Sequence, residues 1–188
     1  MFAMTRKSMK MMQRGFTLIE LLIVVIILAI LAAILIPQVS SSTDDAKLAA
    51  LDSNLNGLRS AIELYHAQHG GKYPGEAAAT GPGTCSVGLA GAGAAASVSA
   101  VVAQLTLYSN AAGQTCTGPA TETPLGPYVR KIPADPIYNL TAIDVKNLGT
   151  ALAPGAPTGG WAYDVQTGEI VMNSNATDSN NTILYSAH

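Results

Sequence analysis

From Phe16 to Ile36 the chain carries 21 consecutive residues with one charged side chain, Glu20, and one other polar residue, Thr17. A helix rises about 1.5 Å per residue, so such a run is long enough to cross a hydrocarbon layer of about 30 Å. No soluble core of a chain this size needs an apolar segment of that length. A lone carboxylate one turn into it is costly unless it has a partner or a purpose. Whatever the chain folds into must therefore account for an exposed greasy helix and for Glu20 within it.

Arg6, Lys7, Lys10 and Arg14 precede the run, and no acid stands before Glu20. This asymmetry keeps the N-terminal end in the cytoplasm and sends the C-terminal end outward. A secretory signal peptide has an apolar region of only about 7–15 residues and a small-residue exit, for which Ser40-Ser41-Ser42 is a poor substitute. A plain membrane anchor fits the length but gives no reason for Glu20 or for Gly15-Phe16 at the boundary.

The segment Gly15-Phe16-Thr17-Leu18-Ile19-Glu20-Leu21-Leu22-Ile23-Val24-Val25 resembles the class III signal of type IV pilins and type II secretion pseudopilins. The basic leader, Gly15, Glu20 and Pro37 stand where that superfamily places them. The resemblance implies cleavage between Gly15 and Phe16 by a prepilin peptidase, N-methylation of Phe16, and polymerisation through the N-terminal helix. It also implies the pilin fold, an α+β arrangement with a long N-terminal helix packed on a small antiparallel sheet. Cleavage creates a cation at Phe16, and Glu20 of one subunit can pair with the Phe16 amine of a neighbour. Breaking an ion pair in low dielectric leaves one charge alone, so Glu20 would set the register between subunits. Residues 1–15 are read as the leader, and the five methionines at 1, 4, 9, 11 and 12 leave the start codon open.

Residues 16–36 form the membrane or filament-core part of the helix, and residues 37–69 its amphipathic outer half. Pro37 removes one helical hydrogen bond and predicts a kink or local melting. Leu48, Leu51, Leu55, Leu58, Ile62 and Tyr65 recur at spacings of three and four, one stripe on a helix that runs about 80 Å if unbroken. Gly70-Gly71 supplies the stop. His66 and His69 share a face near that end, either as a potential metal pair lacking further ligands or as imidazoles suited to the helix dipole.

Residues 70–127 are rich in Ala, Gly and Thr and predict loops around one short helix, Ser97 to Tyr108, capped by Ser97. Cys85 and Cys116 both lie beyond the membrane run, where an oxidising compartment makes them one disulfide, with two buried thiols as the alternative. Residues 128–188 predict the sheet. A hairpin is expected from Trp161 to Met172 around Gln166-Thr167-Gly168, with Ile143 in one further strand and Ile183-Leu184-Tyr185 as an edge. Strands follow one another with no helix between them, so antiparallel pairing is expected. Pro133-Ala134-Asp135-Pro136 and Gly159-Gly160-Trp161 resemble segments of the G-type major pseudopilin. That resemblance also raises calcium, for which Asp178 is a weak candidate with Asp144 or Asp164 as possible helpers. No cofactor is otherwise expected.

No Ser/His/Asp set, phosphate loop, CxxC or paired-acid site stands out. With three histidines and 12% charged residues, an enzyme is not expected. A formal net charge of −2 gives no argument for nucleic acid. The reading is a structural subunit of an envelope filament, a type II secretion pseudopilin, with a type IV pilin for adhesion, motility or DNA uptake as the alternative and a membrane-anchored periplasmic enzyme as a distant third. Its partners would be like subunits, the prepilin peptidase, an inner-membrane assembly platform and the bilayer. Its expected place is the bacterial inner membrane, single-pass, with the C-terminal domain in the periplasm until the subunit is extracted into a filament.

Overall fold

A computed structural model describes residues 16–81, 85–178 and 182–188, with the side chains of 34–42 outside the description. Two compact units are present, one ending at Ser42 and one spanning Thr43–His188. The helix α1, Leu18–Gln68, contributes to both.

In the N-terminal unit the backbone is helical from Leu18 onward, and its described apolar side chains are all exposed, Leu18 at 90% and Val25 at 47%. Among the described residues no helix is long and apolar enough to cross a membrane. The apolar run continues through residues 34–36, where the side chains are not described. The helix assignment continues through Pro37, so the proline does not end the helix, although it removes one donor.

The C-terminal unit is built on the stripe read from the sequence. Leu51, Leu55, Leu58, Ile62 and Tyr65 are buried, and Leu48 is half-buried at its start. Leu51, Leu55, Leu58 and Ile62 form one core with Val101 and Leu105 of α2 (Val98–Thr106) and with Trp161, Tyr163, Ile170 and Met172 of the sheet. Each fully buried aliphatic or aromatic side chain of this set contributes roughly 1.5–3 kcal/mol. Helix α1 stops where the glycines permit it: the Gly71 N–H donates to the His66 carbonyl at 3.0 Å, with Gly70 at φ +66° and Gly71 at +84°. Ser97 caps α2 by accepting from the Ala100 N–H at 3.1 Å. The buried face of α2 is Ala100, Val101, Ala103, Gln104 and Leu105, whereas Val98 is exposed.

Strands β1 (Tyr108–Ser109) and β2 (Thr115–Cys116) pair antiparallel. Strands β4 (Trp161–Asp164) and β5 (Ile170–Met172) form the expected hairpin, with Trp161 opposite Met172 and Tyr163 opposite Ile170. Strand β3 (Ile143–Lys146) departs from the expectation, since it pairs with β4 in parallel, Ile143 opposite Trp161 and Lys146 opposite Asp164. The absence of an intervening helix predicts antiparallel pairing. Residues 147–160 are nevertheless long enough to carry the chain back as an irregular crossover. Side chains tie that crossover down: Asp164 accepts from the Leu148 and Gly149 N–H groups at 3.1 and 2.9 Å, and Glu169 from Leu152 at 2.8 Å. All four residues of β4 are buried, because the core covers Trp161 and Tyr163 while the crossover lies beside Ala162. Among the described residues Ile183-Leu184-Tyr185 form no edge strand. Leu184 makes one bridge with Thr177, and Tyr185–Ala187 turn into a 3-10 helix.

Candidate functional site

The sequence places its chemistry at the start of α1. Gly15 lies outside the described residues, and Phe16 is exposed. Glu20 already has a partner on its own chain. Its Oε2 accepts from the Thr17 N–H at 2.9 Å and from the Thr17 hydroxyl at 2.7 Å, while the Glu20 N–H donates to Thr17 Oγ1 at 3.3 Å. Thr17-Leu18-Ile19-Glu20 is thus a reciprocal capping box, Thr17 at the cap and Glu20 three residues on. The T-x-x-E spacing at the head of an apolar run is the sequence signature of such a box. The geometry holds a carboxylate beside the peptide that follows Phe16, at the tip of an exposed apolar helix. Pro37 lies where side chains are not described.

Cys85 and Cys116 are joined in a disulfide, with Cα atoms 5.9 Å apart. The bond fastens an otherwise irregular segment to β2. The Gly91 N–H donates to the Thr115 carbonyl at 2.7 Å, the Thr115 N–H to Ala79 at 3.2 Å, and Ala90 bridges Cys116. Approach is close enough that a Cβ on Gly91 would stand 1.8 Å from Thr115 Oγ1. Ala79 of the Ala-rich stretch joins Ala100 and Ala103 of α2 in a small second core against Leu107.

The histidines do not converge. His69 is buried, stacks on the Tyr65 ring at 3.6 Å, and places Nδ1 2.8 Å from the Tyr65 carbonyl and Nε2 3.1 Å from Ser109 Oγ. Burial holds its pKa below the ordinary value. His66 stacks instead on Tyr73 at 4.1 Å. The calcium candidates are also dispersed. Asp178 accepts from the Thr182 N–H at 2.9 Å and from its hydroxyl, Asp144 pairs with Lys146 at 2.9 Å, and Asp164 receives the Leu148, Gly149 and Gln166 N–H groups. Carboxylate oxygens already occupied by backbone donors do not fit a cation that wants six to eight oxygens. Among the described residues no group of three His, Cys, Asp or Glu side chains could hold a metal.

Sequence reasoning missed the polar residues that hold the domain together. Asp135 is fully buried and accepts four backbone N–H groups: Ile137 at 3.0 Å and Tyr138 at 2.6 Å on Oδ1, Leu140 at 3.0 Å and Gly160 at 2.9 Å on Oδ2. Gln104, also fully buried, accepts from the Gly75 N–H at 2.6 Å and donates to the Ala77 and Gly113 carbonyls at 3.1 and 2.8 Å.

Residues 10–36 match the family model for the prokaryotic N-terminal methylation motif. Over 53 residues the chain is 43% identical to the type II secretion system core protein G of Pseudomonas aeruginosa, covering 28% of this chain and 37% of that protein. It is 38% identical over 78 residues to a fimbrial protein of Neisseria meningitidis, covering 42% and 45%. It is 39% identical over 66 residues to the type IV major pilin protein PilE1 of Neisseria gonorrhoeae, covering 35% and 39%. The chain therefore spans less than half the length of each of these relatives. No solved structure matches it.

Proposed function

We propose that this chain, which belongs to the type IV pilin and pseudopilin superfamily, is a structural subunit of an envelope filament. Supporting this reading is the first turn of α1, where Phe16 is followed by a capped helix bearing one carboxylate and a continuous exposed apolar surface. Such a surface is stable in a bilayer or against copies of itself, not in water. The match of residues 10–36 to the prokaryotic N-terminal methylation motif supports processing at this end of the chain: in this reading a prepilin peptidase cleaves between Gly15 and Phe16, and the new Phe16 amine is methylated. In the assembled filament Glu20 of one subunit pairs with that amine on a neighbour, and residues through Pro37 form the interior. The subunit waits as a single-pass protein of the inner membrane, N-terminus in the cytoplasm, and is extracted by an assembly platform. No catalytic role is proposed.

The system is a type II secretion pseudopilus. The resemblance of Pro133-Ala134-Asp135-Pro136 and Gly159-Gly160-Trp161 to the G-type pseudopilin favours this over a type IV pilus, although relatives of both kinds are similar to the chain. Mass spectrometry of the mature protein tests the premise, with N-methyl-phenylalanine at Phe16 as the expected terminus. An uncleaved leader refutes it. Gene neighbourhood separates the two systems, since an outer-membrane secretion channel points to the pseudopilus and a retraction ATPase to the pilus.

A further inference from the structure

Outside the N-terminal half of α1, Leu89 is the most exposed large apolar residue among those described, at 75%, and Val87 two residues before it stands at 48%. Exposed apolar side chains on mobile loops are common and need no explanation. These two are held still. The disulfide anchors Cys85 to Cys116, the Leu89 N–H donates to Thr117 Oγ1 at 2.8 Å, and the Thr117 N–H returns to the Leu89 carbonyl at 2.9 Å. Gly88 turns between them at φ +82°, where a Cβ would strike Thr117 Oγ1 at 2.3 Å. Beside them the exposed Glu122 accepts the Ser86 hydroxyl at 2.8 Å. The result is a rigid knob with two aliphatic side chains and one carboxylate.

A groove of about 470 Å³ lies elsewhere on the same domain. It is lined by the aliphatic Val102 and Ile132, by Thr106 and Thr141, and by the cations Arg130 and Lys131. Among the described residues neither cation makes an ion pair, and neither does Glu122. Knob and groove share no residue. A contact between them that is not reciprocated across a two-fold axis is heterologous: it leaves a free groove on one copy and a free knob on the other, and it propagates as an open filament where the rotation does not close a ring.

We infer that the Val87–Leu89 knob of one subunit docks in the Val102–Ile132 groove of a second copy of this chain, with Glu122 facing Arg130 and Lys131, as a head-to-head contact of the polymer. This rests on the filament reading and adds the partner surface of the C-terminal domain to it. The disulfide then has an assembly role: it holds the knob in shape for the next subunit.

The test uses the full chain expressed with its assembly machinery. A photo-crosslinking p-benzoylphenylalanine in place of Leu89 is expected to join a peptide containing Arg130–Ile132 of another copy, in filaments and not in monomers. Leu89→Asp, and Arg130→Glu with Lys131→Glu, are each expected to lower filament yield about ten-fold, the loss of a contact of ordinary interface strength. The mature N-terminus and the melting temperature should be unchanged. Glu122→Lys added to the double charge reversal is expected to restore part of the yield. Adducts to a different surface or to another protein, or Leu89→Asp filaments at normal yield, overturn this contact while leaving the filament reading intact. Wild-type chains that are cleaved at Phe16 yet never polymerise overturn both.

Discussion

Replacing Asp135 by Asn changes one atom in a buried carboxylate whose two oxygens each receive two backbone N–H groups. The amide keeps one carbonyl oxygen. Its NH₂ group must then face two of the four donors, either Ile137 and Tyr138 or Leu140 and Gly160, with no acceptor for them. Each buried donor left without a partner costs about 1–3 kcal/mol, so the substitution should destabilise the C-terminal domain by about 2–6 kcal/mol. At about 2–4 °C per kcal/mol for a domain this size, a mid-range loss of about 4 kcal/mol lowers Tm by roughly 8–16 °C. Trp161 gives the assay its probe. It is the one tryptophan of the chain, fully buried, and its indole N–H donates to the Pro133 carbonyl at 2.8 Å, next door to Asp135 and Gly160. Urea unfolding of the full chain in detergent, followed by Trp161 fluorescence, reads the midpoint. Asp144→Asn serves as the comparison, since Asp144 and Lys146 form a half-exposed pair, a class contributing at most about 1 kcal/mol. An Asp135→Asn unfolding free energy within about 1 kcal/mol of wild type, or equal losses from the two variants, would refute the claim that this carboxylate organises the entry to the sheet.

Glu20→Ala should leave cleavage before Phe16 intact by mass spectrometry while abolishing filaments in electron micrographs; Thr17→Ala, which removes only the cap, should reduce them less. Below about pH 6.5 the unfolded chain protonates at His69 before the folded one does, because the folded pKa is depressed, so that part of the stability is complete above the unfolded value and declines on acidification. Melting temperatures from pH 7.5 to 5 should therefore fall more steeply for wild type than for His69→Gln. Removing the disulfide with Cys85→Ser and Cys116→Ser should cost about 3–4 kcal/mol, the chain-entropy value for a sequence separation of 31, read as a lower urea midpoint.

What could be read in the sequence was whatever repeats or pairs by side-chain type. The α1 stripe from Leu51 to Tyr65 was legible because its period is the helix's own, and the β4–β5 hairpin because Gln166-Thr167-Gly168 interrupts two apolar runs. Ser97 announced α2. Asp135 and Asp164 were not legible, since their partners are backbone N–H groups, among them Gly160 and Leu148, which carry no side-chain signature. Gln104 hid for a related reason: a polar residue on an apolar helix reads as its solvent face until the fold brings Gly75 and Gly113 to it. The parallel β3–β4 pair was lost to a rule about connections, because a crossover needs length and anchoring more than it needs a helix.

At the head of α1 the structure changes the physical account of Glu20 without removing its proposed use. The acid is not stranded, because Thr17 engages it within the chain. Both Thr17 donors fall on Oε2, and among the described residues Oε1 receives none. A carboxylate has about four acceptor sites, so a neighbour's Phe16 amine can bind Oε1 without undoing the cap. Pairing then adds a charge-assisted bond to a carboxylate already aimed by its own helix, with little side-chain entropy left to lose on contact. The cap thus makes the proposed ion pair directional. A neighbour out of register meets a carboxylate that cannot swing to follow it, whereas an uncapped glutamate could. In this account the same Thr17–Glu20 geometry that starts the helix also sets how strictly the subunits must align.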